Sequence, residues 1–168
     1  MQYISSDTNI WIDFQTIQRL EMPFLLDYTF LMSSEVMARE LLSPKDLPEK
    51  LLAAGLQQTD INEDEYWLAI DLSLKYRKLS EADAVALAIA KNRSITLLSG
   101  DGALRKAAKA EGVPVKGTIW IFDELLASSL ISEEEYVQAM LDLQAQQGNG
   151  IRLPAKDLET RIQRFSQD

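Results

Sequence analysis

Short apolar runs alternate with helically spaced segments along almost the whole of this chain, and that alternation is what most restricts its fold. Tyr3-Ile4-Ser5-Ser6, Thr29-Phe30-Leu31-Met32 and Ile95-Thr96-Leu97-Leu98 read as buried strands. Behind the first, Ile10, Phe14 and Ile17 predict a helix within Thr8 to Leu20; behind the second, Glu35 to Leu42 predicts another. Ser43-Pro44-Lys45-Asp46 closes that helix and starts a short one with proline at its first position. A turn and short strand fall between Gly55 and Asp60, and Asn62-Glu63-Asp64-Glu65 opens a helix running towards Leu79. Ser80-Glu81-Ala82-Asp83 has the form of a capping box. Along the helix Ala82 to Asn92 that follows, Ala82, Val85, Ala86, Ile89 and Ala90 form a stripe of small apolar residues, suited to lying close on a sheet. Gly100-Asp101-Gly102 turns the third strand into a helix from Ala103 to Glu111, and Val113-Pro114-Val115 is a further strand. Helices then cover Ile119 to Ser128, the segment capped by Ser132-Glu133-Glu134-Glu135, and Pro154 to Phe165. Strands alternating with helices imply an α/β fold on a mainly parallel sheet.

The missing residue types restrict the chemistry. With neither Cys nor His, the chain has no disulfide, no thiolate, no Ser-His-Asp triad and no imidazole metal ligand. Catalysis must rest on carboxylates, hydroxyls, Lys, Arg or Tyr. A net charge of −9, from 17 Lys+Arg against 26 Asp+Glu, argues against coating nucleic acid or anionic membrane through a basic surface. It leaves room for a nucleic-acid enzyme whose metal ions and local basic rim offset an acidic body. The 168 residues suit one domain, and no signal peptide or membrane-spanning run is visible, so the expected location is cytoplasmic.

Four acids stand out by position. Asp7 and Asp101 follow strands and precede helices, which in a parallel sheet is the carboxyl edge where open α/β folds place their sites. Glu40 lies on the helix after the second strand and Asp83 opens the Ala-rich helix. If those strands adjoin, the four carboxylates converge. Crowded carboxylates repel, and a hard divalent cation such as Mg²⁺ or Mn²⁺ relieves the repulsion, activates water and steadies an in-line phosphoryl transfer. The plainer reading is that Asp7, Asp83 and Asp101 are helix caps, each contributing about 1 kcal/mol, and that Glu40 is a solvated helix residue.

Four motifs resemble those of PIN-domain ribonucleases, in their order. They are Ser6-Asp7-Thr8-Asn9-Ile10, Val36-Met37-Ala38-Arg39-Glu40-Leu41-Leu42, Ser80-Glu81-Ala82-Asp83-Ala84 with its Ala/Leu helix, and Leu97-Leu98-Ser99-Gly100-Asp101. Val113 to Thr118 and the run from Leu130 to Ile151 look like a bacterial branch of PIN-like proteins with extended C-terminal helices. The resemblance implies a three-layer α/β/α fold with a mainly parallel sheet. It implies a PIN-like nuclease domain over 1–145 and a helical extension over 146–168 packed on it. It also implies a metal-dependent endoribonuclease, often the toxin of a VapC-type toxin–antitoxin pair. Carried over, Asp7, Glu40, Asp83 and Asp101 are the catalytic acids and hold Mg²⁺ or Mn²⁺, while Thr8, Asn9 and Ser99 orient ligands or waters. Glu35 rivals Glu40, and Glu81 rivals Asp83 more weakly. Gly100 stands where the branch often has a second acid. The implied partners are RNA, an antitoxin protein covering the acidic pocket, and a second copy in a homodimer.

Arg105 and Lys109 share one face of the helix after Asp101, either to meet RNA phosphates or as a solvated face, with Lys106 beside them. Trp11, Trp67 and Trp120 read as core or interface, and Asp13, Asp71 and Asp123 as exposed helix residues. The competing expectation is a catalytically silent PIN-like interaction module whose acids are only caps. A haloacid-dehalogenase-like phosphatase needs a second Asp two residues after the first, where this chain has Asn9. A receiver domain would want an acidic pair near the first strand and a phosphoacceptor Asp after a central strand.

Overall fold

The computed structural model describes residues 2–165. Strands β1 (Gln2–Ser6), β2 (Tyr28–Ser33), β3 (Gln57–Thr59), β4 (Thr96–Leu98) and β5 (Val115–Lys116) form one sheet in the order β3-β2-β1-β4-β5. Every pairing is parallel. The helices are α1 (Thr8–Thr16), α2 (Ser34–Glu40), α3 (Leu47–Ala54), α4 (Glu63–Lys75), α5 (Glu81–Arg93), α6 (Gly102–Ala110), α7 (Thr118–Ala127), α8 (Glu133–Ala145) and α9 (Ala155–Arg164). Among the described residues no helix is long and apolar enough to cross a membrane.

Strand alternation sorts side chains onto two cores. Ile4, Phe30, Met32 and Leu98 join Trp11, Phe14 and Phe122 on one face, with α1, α7 and α8. Leu97 joins Ala86, Leu87, Leu104 and Ala107 on the other, where α5 and α6 pack and α4 lies outside α5. Helices on both faces make three layers. The small residues of α5 let the helix approach the sheet closely enough for Ser5 Oγ to donate to the Ala86 carbonyl at 2.8 Å. That helix is buried over Ala84 and Ala86–Ala90, more than the single expected stripe, because sheet, α4 and α6 enclose it. Ile151 and Leu158 are buried in the first core, so the segment carrying α9 packs on α8. The outer ends of the two expected units, Met1 and 166–168, lie outside the described residues.

Several boundaries differ from expectation for local reasons. Helix α1 stops at Thr16, short of Leu20, as Gln18 takes a left-handed φ of 56°. The short helix after α2 starts at Leu47 with Pro48 in its first turn, so Pro44 lies outside it. Helix α4 ends at Lys75, where Tyr76 leaves helical geometry and its hydroxyl donates to Glu111. Pro114 accepts a bond from Leu97 N–H at 2.9 Å but has none to donate, and β5 is assigned from Val115.

Asp13 is 8 % exposed, against the expectation of an exposed residue: it lies three residues after Ile10 and one before Phe14, on the buried face of α1. Asp123 is half-buried, held by Tyr136 and Arg161, while Asp71 is exposed. Trp11 is core, Trp120 packs on Tyr28 with ring centroids 5.6 Å apart, and Trp67 is 56 % exposed.

Candidate active site

The chain leaves β1 for β2 and β3 on one side, then returns to place β4 and β5 on the other. The carboxyl ends of β1 and β4 therefore flank a topological switch point, the crevice where open α/β sheets bind ligands. Asp7 stands directly after β1, and its N–H donates to the Leu98 carbonyl at 3.0 Å, which fixes it to the end of β4. Ser99 and Asp101 follow β4.

Asp7 occupies the N-cap position of α1, yet its side chain makes no capping bond. Its carboxylate instead accepts from Ser99 Oγ at 3.0 Å. Ser99, fully buried, also accepts from the Asp101 N–H at 3.1 Å, and so ties the two acidic positions together. Asp7 is 3 % exposed. Burial first, and then the negative charge of Asp83, push its pKa from 3.8 to about 7; the Ser99 bond works against that rise, and Asp101 adds to it. Asp83 is half-buried and raised as well, by burial first and then, against its bonds to Ser80, by the charges of Asp101 and Glu40. The charges of Asp83 and Asp101 thus act on Asp7, and Glu40 reaches this group only through Asp83.

They do not form a finished ligand set. Among the described residues no three carboxylates stand close enough to share a metal ion. The capping expectation explains why: Asp83 accepts from Ser80 N–H at 3.0 Å in a complete capping box, and Asp101 accepts from Leu104 N–H at 3.0 Å at the start of α6. Glu40 is exposed on the last residue of α2 with no hydrogen-bond partner among the described residues. The negative end of the helix dipole disfavours an acid there.

The rivals are differently engaged. Arg39 bonds Glu35 at 3.0 Å and Glu81 at 3.3 Å, all three exposed, joining α2 to the start of α5 beside the acid patch. Thr8 is buried, and its Oγ1 has no partner among the described residues. Next to it a cavity of about 10 Å³, near the lower limit for one water, is lined by Ser5, Ser6, Asp7 and Ser33. Asn9 is exposed. Arg105 is half-buried, and its guanidinium donates to the Ser99 carbonyl at 2.7 Å, so it supports the Ser99 turn; Lys106 and Lys109 are exposed.

Sequence reasoning missed three groups. Trp11 Nε1 donates to Ser6 Oγ at 3.0 Å, and Ser6 in turn donates to the Leu31 carbonyl, which fastens β1 to α1 and β2. Thr118 Oγ1 donates to Asp13 at 3.2 Å, and burial raises the Asp13 pKa to about 6. Arg39 was the third. The helical spacing Ile10, Asp13, Phe14, Ile17 was a signal for the second, and the i,i+4 spacing of Glu35 and Arg39 for the third; no sequence pattern marked the first.

A parallel α/β sandwich with acids around its switch point is a nuclease-like architecture. A family model described as a PIN domain matches residues 3–167, and the chain belongs to the PIN-domain family. No curated protein matches it.

Proposed function

We propose that this protein is a metal-dependent endoribonuclease that hydrolyses RNA phosphodiester bonds at the switch-point edge. The observation that carries the reading is Asp7: a buried acid at the end of the central strand, turned away from its own helix, facing other carboxylates with no cation among the described residues beside it. The donor chemistry fits a hard divalent ion: all oxygens, an excess of negative charge, and the orphaned Thr8 Oγ1 alongside. Asp7 and Asp83 would hold Mg²⁺ or Mn²⁺, with Asp101 and Glu40 completing the set. A bound divalent ion supplies Lewis-acid polarisation of a phosphoryl oxygen and activation of water.

The chain's own residues do the rest. Ser99 holds the Asp7 carboxylate in one orientation and restrains the Asp101 backbone. Turning Asp83 and Asp101 from their caps would cost about 1 kcal/mol each. Arg39 occupies Glu35 and Glu81, which favours Glu40 and Asp83 as the working acids.

The test is cleavage of a mixed pool of structured RNAs with EDTA, Mg²⁺ or Mn²⁺, beside Asp83→Asn. The expected result is metal-dependent cutting that the variant lacks. The capped positions of Asp83 and Asp101 favour one alternative, a silent PIN-like interaction module. It predicts no cutting and no change in thermal stability with either metal.

A further inference from the structure

The second half of α7 and the last turns of α9 border a cleft of about 450 Å³, within the size range of small-molecule sites. Leu126 and Ala127 give it an apolar wall; Asp123, Thr160, Arg161 and Arg164 give it a polar one, with Tyr136 at the base. No switch-point residue lines it. Two guanidiniums against one carboxylate leave the lining with a net charge of +1, in a chain whose own net charge is −9.

The carboxylate is already saturated. Asp123 Oδ1 accepts from the Tyr136 hydroxyl at 2.6 Å and from Arg161 Nε at 3.0 Å, and Oδ2 accepts from Arg161 Nη2 at 2.8 Å. That fork fixes the plane of the Arg161 guanidinium, whose Nη1 donates to the Asp157 carbonyl at 3.1 Å. A guanidinium has five N–H groups. These bonds take one from each nitrogen, so Nη1 and Nη2 each keep one to give. Paired N–H groups match the two oxygens of a carboxylate.

Arg164 is the second cation, one turn along α9. It is exposed, lies 5.1 Å from the centroid of the Phe165 ring, and has no ion-pair partner among the described residues. Phe165 in turn packs edge to face on Tyr136, with centroids 5.5 Å apart. The end of α7 does not require Arg164 as a cap, since the Ser128, Leu130 and Ser129 N–H groups occupy the carbonyls of Glu124, Leu125 and Leu126. Cations suit the dipole at the end of α9 itself, which accounts for their sign but not for both lining one cleft. Like charges a turn apart on one helix face repel, and an anion between them relieves that.

We propose that the α7–α9 cleft binds a small organic monoanion: a carboxylate, received between Arg161 and Arg164, on a flat apolar body that rests on Leu126 and Ala127. The net charge of the lining matches one negative charge. A phosphate monoester, at about −1.5 to −2 near pH 7, would set its surplus against Asp123. No switch-point acid takes part, so the inference stands or falls apart from the nuclease reading.

Titration of the isotope-labelled full chain with naphthoate, followed by amide NMR shifts, tests it. Expected are saturable shifts at Leu126, Ala127 and Arg164 in the millimolar range of a fragment. Naphthamide, which has the same body without the charge, should bind at least about tenfold more weakly. Arg164→Ala should weaken naphthoate by at least about tenfold, as loss of a charged hydrogen bond does. Arg164→Lys should cost less, because it keeps the charge and loses only the fork. Ala127→Trp should abolish binding by filling the cleft. Ala127 and Arg164 are both exposed, so circular dichroism and thermal unfolding should be unchanged in these variants. No saturable shift at these residues, equal binding of the neutral amide, or wild-type binding by Arg164→Ala or Ala127→Trp overturns the proposal. So does naphthyl phosphate binding at least about tenfold tighter than naphthoate, which would make the cleft a phosphate site instead.

Discussion

Buried carboxylates occur in two settings in this protein, and their neighbours separate structure from chemistry. On the α4–α5–α6 side, Glu65 is fully buried and Glu111 half-buried with its side chain only 7 % exposed, and each has its cations. Glu65 accepts from Arg93 Nε at 2.8 Å and Nη2 at 3.0 Å, while Glu111 meets Lys75 at 2.8 Å, Lys91 at 2.6 Å and the Tyr76 hydroxyl. Burial pushes Glu65 upward, yet the Arg93 and Asn62 bonds hold it below its ordinary value; the Lys75 and Lys91 bonds bring Glu111 to about 2. At the switch point Asp7 is as deeply buried but faces acids instead of bases, and moves the other way, to about 7. The first pair is closed: its charge is spent inside the fold, joining helices. The second is open, an unbalanced charge held in place by the sheet. Burial alone therefore does not mark a site; burial among other carboxylates without a counter-charge does.

The largest effect should come from opening the closed setting. Arg93→Ala leaves Glu65 charged and fully buried, also strips the bonds to Thr59 Oγ1 and the Asp60 carbonyl, and should lower stability by about 3–5 kcal/mol in urea titrations. The same kind of change at the open setting should have the opposite sign. A carboxyl whose pKa rises on folding holds its proton more tightly in the folded state. Its contribution is complete below pH 3.8 and is lost as pH climbs through about 7. Above that, ionised Asp7 is a liability to the fold. Asp7→Asn should therefore raise stability by roughly 2–4 kcal/mol at pH 8, with almost no gain at pH 3.5, while abolishing cleavage. Unfolding at the two pH values measures it; a variant less stable than wild type at pH 8 would remove the charge conflict on which the contrast rests.

Much of this was legible in the chain. Alternation of apolar runs and helical spacing predicted the parallel α/β sheet, and Asp7, Glu40, Asp83 and Asp101 sit in segments that resemble the family's motifs. Strand order was not legible, because nothing local to Thr96–Leu98 says that β4 pairs with β1 instead of β2; yet that pairing is what brings Ser99 to Asp7. The caps were visible at Ser80–Asp83, but whether Asp7 caps its helix depends on a side-chain rotation set by Ser99, 92 positions away. No sequence pattern marked Glu65 and Glu111 as ion-paired, since their partners Arg93 and Lys91 come from a helix whose packing is decided by the sheet.

A smaller effect sharpens the contrast without touching a covalent bond. Mg²⁺ or Mn²⁺ at about a hundred times its dissociation constant should add about 2.7 kcal/mol to stability at pH 8. Asp7→Asn should lose most of that gain, and Arg93→Lys none of it. Scanning calorimetry with and without metal distinguishes these, and equal stabilisation of all three proteins would place the cation elsewhere.

The smallest effect separates the two acids of one strand–helix unit. Asp13 is buried like Asp7 and also lacks a cation, yet it meets no other carboxylate; Thr118 Oγ1, at the first turn of α7, is its partner among the described residues. Burial alone therefore raises it, to about 6, and its contribution to stability is present below pH 3.8 and lost as pH rises through 6. Asn keeps a group able to bond Thr118 and removes the charge. Asp13→Asn should leave stability near wild type at pH 3.5 and raise it by about 1–2 kcal/mol at pH 8, with neither cleavage nor metal stabilisation altered. If the substitution diminished cleavage as Asp7→Asn does, a buried carboxylate without acidic neighbours would belong to the site after all, and charge crowding would not be what distinguishes it.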